Sequence, residues 1–226
     1  MRMRRRRAAF ADRAEAGTRL GADLRARKWC DPVVLGLARG GVPVAAGVAT
    51  ALDAPLDVAV ARKIGAPTQP EWGLGAVTAD GPVNWDPASL RRAHVAAADL
   101  ADAVAREKEE AGRQLRRYRE VAAAVPVADR DVVLVDDGLA TGVTARAALR
   151  RLREDSPRYV VLAVPVGRAG TADLIRAEGA ADDVVALVAP AVLVAVSCWY
   201  RDFGQTPDAQ VLAVLAAARR ADNPGP

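Results

Sequence analysis

Two adjacent carboxylates, Asp136 and Asp137, close the apolar run VVLV (132–135), and GLATGVT (138–144), a loop of mostly small residues, follows them. Like charges side by side repel a bare anion, so the pair suits hydroxyl groups or a divalent cation. The loop suits the anion itself. Gly138 and Gly142 let the backbone approach a ligand closely, and the N–H groups that open a helix at Val143 converge on a phosphate. Thr141 and Thr144 add hydroxyl donors, and Ala140 keeps its side chain out of the way. A phosphorylated sugar satisfies both halves. A pyrophosphate on that sugar would bring Mg2+, which keeps several waters and needs only one or two carboxylates, here Asp136 and Asp137, directly or through water. The plainer reading is an Asp pair that caps a strand-to-helix turn.

Other chemistries are removed by what the sequence lacks. His94 is the single histidine, which excludes Ser-His-Asp, Cys-His and multi-histidine metal sites and leaves Asp, Glu, Lys and Arg to act. Cys30 and Cys198 lie far apart, so no CxxC pattern or disulfide framework exists and a reducing cytoplasm is the expected setting. There is no GxxxxGK[ST], and neither glycine loop fits GxGxxG, so ATPase and dinucleotide readings drop out. The sequence pI of about 9.5 suggests nucleic acid. However, Arg2, Arg4, Arg5, Arg6 and Arg7 outnumber the whole net charge of +4, so the basicity belongs to a tail (1–9) expected to be disordered. No apolar stretch follows these arginines, which argues against a secretory signal. The longest uncharged run, 184–200, is interrupted by Pro190 and too short for a spanning helix.

These residues need elements to hold them. The 51% hydrophobic content over 226 residues is enough for one sizeable core. A short strand is expected at 33–37, then a turn at Arg39, Gly40 and Gly41 and a helix with Pro43 in its first turn. A second strand spans 56–61. The segment RKIGAPTQPEWG (62–73) reads as an irregular, mobile loop because of Gly65, Pro67 and Pro70, with β-like residues following at 74–77 and 83–85. From an N-cap at Asp86, one long solvated helix is expected to run until shortly before Pro126, with Glu109 and Arg113 paired at i,i+4 and His94 at its surface. Strands at 132–135, 159–164 and 184–188 alternate with helices at 143–153 and 171–178. A short apolar run at 192–196, read as a second buried strand of the 184–200 segment, is followed by a terminal helix from Asp208 to about 219 and a disordered tail (221–226). Strands apolar throughout, separated by helices, indicate an α/β fold with a parallel sheet covered on both faces.

The signature of four hydrophobics, two acids and a small-Thr-Gly-x-Thr loop resembles the phosphoribosyl pyrophosphate (PRPP) motif of type I phosphoribosyltransferases. LARGGVPVA, ARKIGAP, VVLVDDGLATGVTARAAL and WYRDFGQ, in that order, look like a bacterial phosphoribosyltransferase-like family over about residues 10–217. The resemblance implies a Mg2+-dependent transfer of phosphoribose from PRPP to an unidentified base or amine, within a single domain (10–220) carrying a small hood (about 190–207). Asp136 and Asp137 would bind the ribose hydroxyls and stabilise positive charge on the ring. Gly138 and the segment from Ala140 through Thr141, Gly142 and Val143 to Thr144 would cradle the 5′-phosphate. Arg39, Gly40 and Gly41 would hold the pyrophosphate, with Arg62 and Lys63 neutralising it from a flexible cover. Leu193, Trp199, Tyr200 and Asp202 are the hood candidates for acceptor contacts, against plain core packing.

Two departures are notable. Ala140 stands where purine-salvage members place an aspartate that moves a proton on the base, and Ala38 stands where this family often has proline. The long helix has no equivalent in minimal members and is expected to serve homodimer contacts. Ala140 and the arginine tail together motivate a second reading, a non-catalytic PRPP or nucleotide sensor that binds RNA or DNA. A third is a phosphohydrolase that passes the sugar phosphate to water.

Overall fold

The computed structural model describes residues 8–222. Five strands form one parallel sheet: β1 (Pro32–Leu37), β2 (Leu56–Ala59), β6 (Asp131–Val135), β7 (Tyr159–Val166) and β8 (Asp183–Val188), in the order β2-β1-β6-β7-β8. These strands are apolar on both faces because both faces are covered. Val33, Leu35, Val132, Leu134, Leu162 and Val164 pack beneath α5 (Val143–Arg153) and α6 (Ala169–Ala177). Val34, Val133, Val135 and Val161 pack against α1 (Arg13–Leu24), α2 (Gly41–Leu52) and α7 (Asp208–Asp222). Truncating a fully buried residue such as Leu134 or Leu162 would remove about 2–5 kcal/mol.

The sheet order places the site. The chain leaves β1 toward β2 on one side and leaves β6 toward β7 on the other, so the winding reverses between β1 and β6. Two loops that diverge from adjacent strands open a crevice beyond their carboxyl ends. Residues 38–41 and 136–142 occupy that crevice.

Three expectations are corrected. The segment 62–73 is not an irregular loop: β3 (Arg62–Ala66) and β4 (Gln69–Val77) form an antiparallel hairpin, to which β5 (Asn84–Trp85) adds a third strand. The Gly and Pro residues are absorbed by register shifts around Gly65 and by the turn at 67–68. Burial of Ile64, Leu74 and Val77 against Leu100 supplies the order that local propensity lacks.

The long helix is also divided. Asp86 caps α3 (Pro87–Ala93) by accepting from the N–H groups of Ala88 and Ser89, as expected. That helix stops at His94, which adopts a left-handed conformation (φ 53°). The His94 N–H donates to the Arg91 carbonyl and the Val95 N–H to the Leu90 carbonyl, a Schellman-type ending that folds Val95 back onto the small core. A 3-10 turn (Ala97–Leu100) then leads into α4 (Ala101–Arg119), where the Glu109–Arg113 pair forms.

Finally, 192–196 is no buried strand. Val192 and Val194 are 77% and 83% exposed, and the next regular structure is a 3-10 turn (Val196–Trp199). The terminal helix α7 continues through Asp222, and the arginine cluster 2–7 and residues 223–226 of the expected tail lie outside the described residues. No helix among the described residues is long and apolar enough to cross a membrane.

Candidate functional site

The loop 138–144 is shaped by what its carbonyls do. Thr171 Oγ1 on α6 donates to the Ala140 carbonyl at 2.7 Å, and Arg146 Nη2 on α5 donates to the Thr141 carbonyl at 2.9 Å. In a trans peptide the N–H points opposite the C=O, so tying these two carbonyls outward turns the Thr141 and Gly142 amides into the crevice. The amides of Ala140, Thr141, Gly142, Val143 and Thr144 have no acceptor among the described residues. Gly142 is the N-cap of α5 at φ 73°, where a side chain would be strained and its Cβ would lie 2.9 Å from Thr171 Cγ2. Uncapped amides at the positive end of a helix make an anion site.

The acid pair sits beside that cradle. The Asp137 N–H donates to Asp136 Oδ1 at 2.8 Å, which fixes the first carboxylate. Asp137 Oδ2 accepts from Arg13 Nε and Nη2, each at 2.8 Å. Arg13 also donates to the Gly204 carbonyl and lies 3.9 Å from the Phe203 ring centroid. Burial, then the neighbouring charge of Asp137, raises the Asp136 carboxyl well above the ordinary range. Burial raises Asp137 too, and Arg13 partly offsets this. The pair is therefore an electrostatic strain that a bound cation or hydroxyl groups would relieve.

A stability prediction follows from that sign. Because the folded-state pKa of Asp136 is raised, its ionisation costs stability. The cost is absent below the ordinary carboxylate range, accumulates as pH rises toward the raised value, and is constant above it. Asp136→Asn keeps the acceptor for the Asp137 amide and removes the charge. It is expected to raise stability by about 0.5–2 kcal/mol at neutral pH, with no gain in acid, read as thermal melts across pH.

The turn after β1 meets this pair across the switch point. The Ala38–Arg39 peptide is cis and Arg39 is exposed. A Cβ on Gly40 would overlap Asp137 Oδ2, and one on Gly41 would overlap the Val135 carbonyl oxygen. Only glycines let this turn close on the acids. An adjoining cavity of about 810 Å³ is lined by Arg39, Arg62, Lys63 and Thr144 on one side and by Asp99, Asp102, Arg106, Glu107 and Gln114 on the other. The residues expected at the phosphate, hydroxyl and pyrophosphate positions are thus brought together. Arg62, however, is engaged with Glu107 at 2.8 Å.

The hood candidates divide. Tyr200 is turned inward: it is 5% exposed, packs at a tilt between Phe10 and Phe203, and donates its hydroxyl to the Asp137 carbonyl at 2.7 Å. Burial and the nearby acids raise its pKa, so it remains a neutral donor that holds the acid loop. Leu193 and Trp199 are half-buried in the same cluster. Asp202 is exposed and accepts from the Gly204 N–H, shaping its own turn. Val196 covers Gly138, where a Cβ would overlap Val196 Cγ1.

Arg13, Phe203 and the α4 residues were not foreseen. Arg13 stands 124 residues from Asp137 with no motif around it, and the one available signal was a cation on the buried flank of an amphipathic helix. Among the described residues no group of three or more His, Cys, Asp or Glu side chains is gathered as a metal cage. The donor set therefore fits a cation that arrives with its own phosphate oxygens and waters.

Residues 11–189 match the model of the phosphoribosyl transferase domain. Two Mycobacterium tuberculosis proteins, MT0597 and Rv0571c, provisionally named phosphoribosyl transferases, are each 45% identical over 213 residues, 93% of this chain and 47% of theirs. The chain thus spans about half the length of these curated relatives. The crystal structure of TT1426 from Thermus thermophilus is 42% identical and superposes with a TM-score of 0.75, covering 92% of this chain and 98% of that one.

Proposed function

The chain belongs to the phosphoribosyl transferase family, and from that membership we propose that it transfers phosphoribose from PRPP to a base or amine with release of pyrophosphate. The observation that carries the reading is the crevice itself, in which uncapped amides at 140–144 lie beside two strained carboxylates and an Arg-Gly-Gly turn. The amides would grip the 5′-phosphate. Asp136 and Asp137 would accept from the ribose hydroxyls, and their charge would stabilise the positive charge that develops on the ring as the C1–O bond breaks. Arg39 and the Gly40 and Gly41 amides would hold the pyrophosphate. Mg2+, arriving with PRPP, would supply further neutralisation of that leaving group. Lys63 stands on the β3–β4 hairpin, which would cover it and exclude water.

Ala140 offers no group for proton transfer, so the acceptor is one whose nucleophilic atom needs no base at that position. The test is to incubate the protein with PRPP, Mg2+ and a panel of bases and small amines while following pyrophosphate by phosphorus NMR. Release that depends on one acceptor supports the reading. Release without any acceptor would indicate hydrolysis, and no release with any acceptor would contradict turnover.

Arg13 tunes the acid that turnover needs. Its guanidinium lowers the Asp137 pKa, so Arg13→Ala lets that pKa rise further and shifts the acid limb of the pH–rate profile to higher pH. The lost charged hydrogen bonds should also cost about 1–3 kcal/mol in a denaturant titration. An unmoved acid limb would mean that Asp137 is not the group titrating.

A further inference from the structure

A second cavity of about 810 Å³ lies on the outer side of the phosphate loop, between α5, α6 and the β5–α3 corner, and has no lining residue in common with the first. Four arginines from two helices and the cap of a third face it: Arg91 of α3, Arg146 and Arg150 one turn apart on α5, and Arg168 at the N-cap of α6. Arg91, Arg150 and Arg168 are exposed and have no carboxylate partner within 4 Å among the described residues. The two acids on the wall are already occupied: Asp86 caps α3, and Glu178 accepts from Arg146 Nη1 at 3.2 Å. The wall is therefore cationic in excess, four guanidinium groups against two carboxylates, and only Arg146 is ion-paired.

Two further observations point to an anion there. Arg168 and Gly170 at the start of α6 line the same space, and the Gly170 N–H has no acceptor among the described residues, whereas those of Ala169, Thr171 and Ala172 donate to carbonyls. Arg146, the buried member, has an Nε with no hydrogen-bond partner. Its Nη2 holds the Thr141 carbonyl, while Thr171 on the same wall holds the Ala140 carbonyl. The two side chains that shape the phosphate loop from behind thus line this cavity.

We propose that the cavity between α5, α6 and the β5–α3 corner is a second, oligophosphate-binding site, and that its occupancy alters the phosphate loop through Arg146 and Thr171. Three unpaired arginines and a helix entrance match a chain of phosphates, which accepts several charge-assisted hydrogen bonds at once. Such a chain could be inorganic or carried by a nucleotide, for which Trp85 on the wall offers a stacking face. Binding at this site stands apart from the proposed activity, whereas its effect on PRPP affinity rests on that reading.

The test uses the full chain without metal, titrated calorimetrically with inorganic tripolyphosphate and with ATP. Three proteins are compared: wild type, Arg39→Ala, and the Arg91→Glu/Arg150→Glu double variant, whose changes are at exposed positions. Wild type and Arg39→Ala should share one binding event that the double variant weakens at least tenfold, with its melting curve unchanged. Equal affinity for the two ligands identifies a reader of phosphate alone, and tighter ATP identifies a nucleotide reader. Wild-type-like binding by the double variant, or no binding that survives Arg39→Ala, overturns the proposal. Loss of PRPP binding in Arg39→Ala while the shared event persists separates this site from the transfer site.

Discussion

Replacing Asp136 and Asp137 together by Asn is expected to lower kcat/KM for PRPP by about a thousandfold or more, with the circular dichroism spectrum retained. Loss of a single preorganised group aimed at developing charge costs roughly 10²–10³ in rate. Here two negative charges are removed from beside a ring that becomes positive. The fold does not depend on them, since the acids lie past the end of β6 and the sheet is held by Val132, Val133, Leu134 and Val135 beneath them. Asn at 136 still accepts from the residue 137 amide, so the loop keeps its path. A collapsed spectrum would instead assign the pair to structure, the turn-capping alternative.

The second large effect separates two neighbouring glycines. Gly40→Ala should reduce PRPP turnover by about a hundredfold or more, because its Cβ meets the far end of a side chain, Asp137 Oδ2, which can turn aside with no backbone shift at a stability cost no greater than that of Arg13→Ala, whose two contacts to that oxygen it breaks. That displacement moves the carboxylate the reaction needs, and misplacement by about 1 Å can cost 10²-fold. Gly41→Ala should behave in the opposite way. Its Cβ meets the Val135 carbonyl and the Asp136 Cα, backbone atoms that cannot rotate away. Overpacking of that kind costs about 1–3 kcal/mol, read as a lowered denaturation midpoint. Equal behaviour of the two variants would contradict this division between site and scaffold.

Much of this site was legible in the sequence because its parts are local. A strand, two acids, small residues and a helix start at Val143 follow one another along the chain, and neighbours in sequence are neighbours in space there. The apolar strands likewise announced a sheet covered on both faces. What sequence reading missed is non-local. The 62–73 segment looks irregular until Ile64 and Leu74 find Leu100. The division of the long helix at His94 depends on Val95 folding back onto that same small core. Arg13 reaches Asp137 across 124 residues, and no spacing announces it. Tyr200 is a useful contrast: an aromatic in a hood suggests a stacking surface, yet its hydroxyl is committed to the Asp137 carbonyl.

The most direct measurement is an amide NMR titration of the full chain with ribose 5-phosphate, a ligand that carries the phosphate and the hydroxyl rim but no leaving group. The largest downfield shifts should fall on the amides of Ala140, Thr141, Gly142, Val143 and Thr144, and Asp136→Asn/Asp137→Asn should weaken the titration without relocating it. Shifts confined to other loops, or saturation that leaves those five amides unmoved, would contradict the account at its centre.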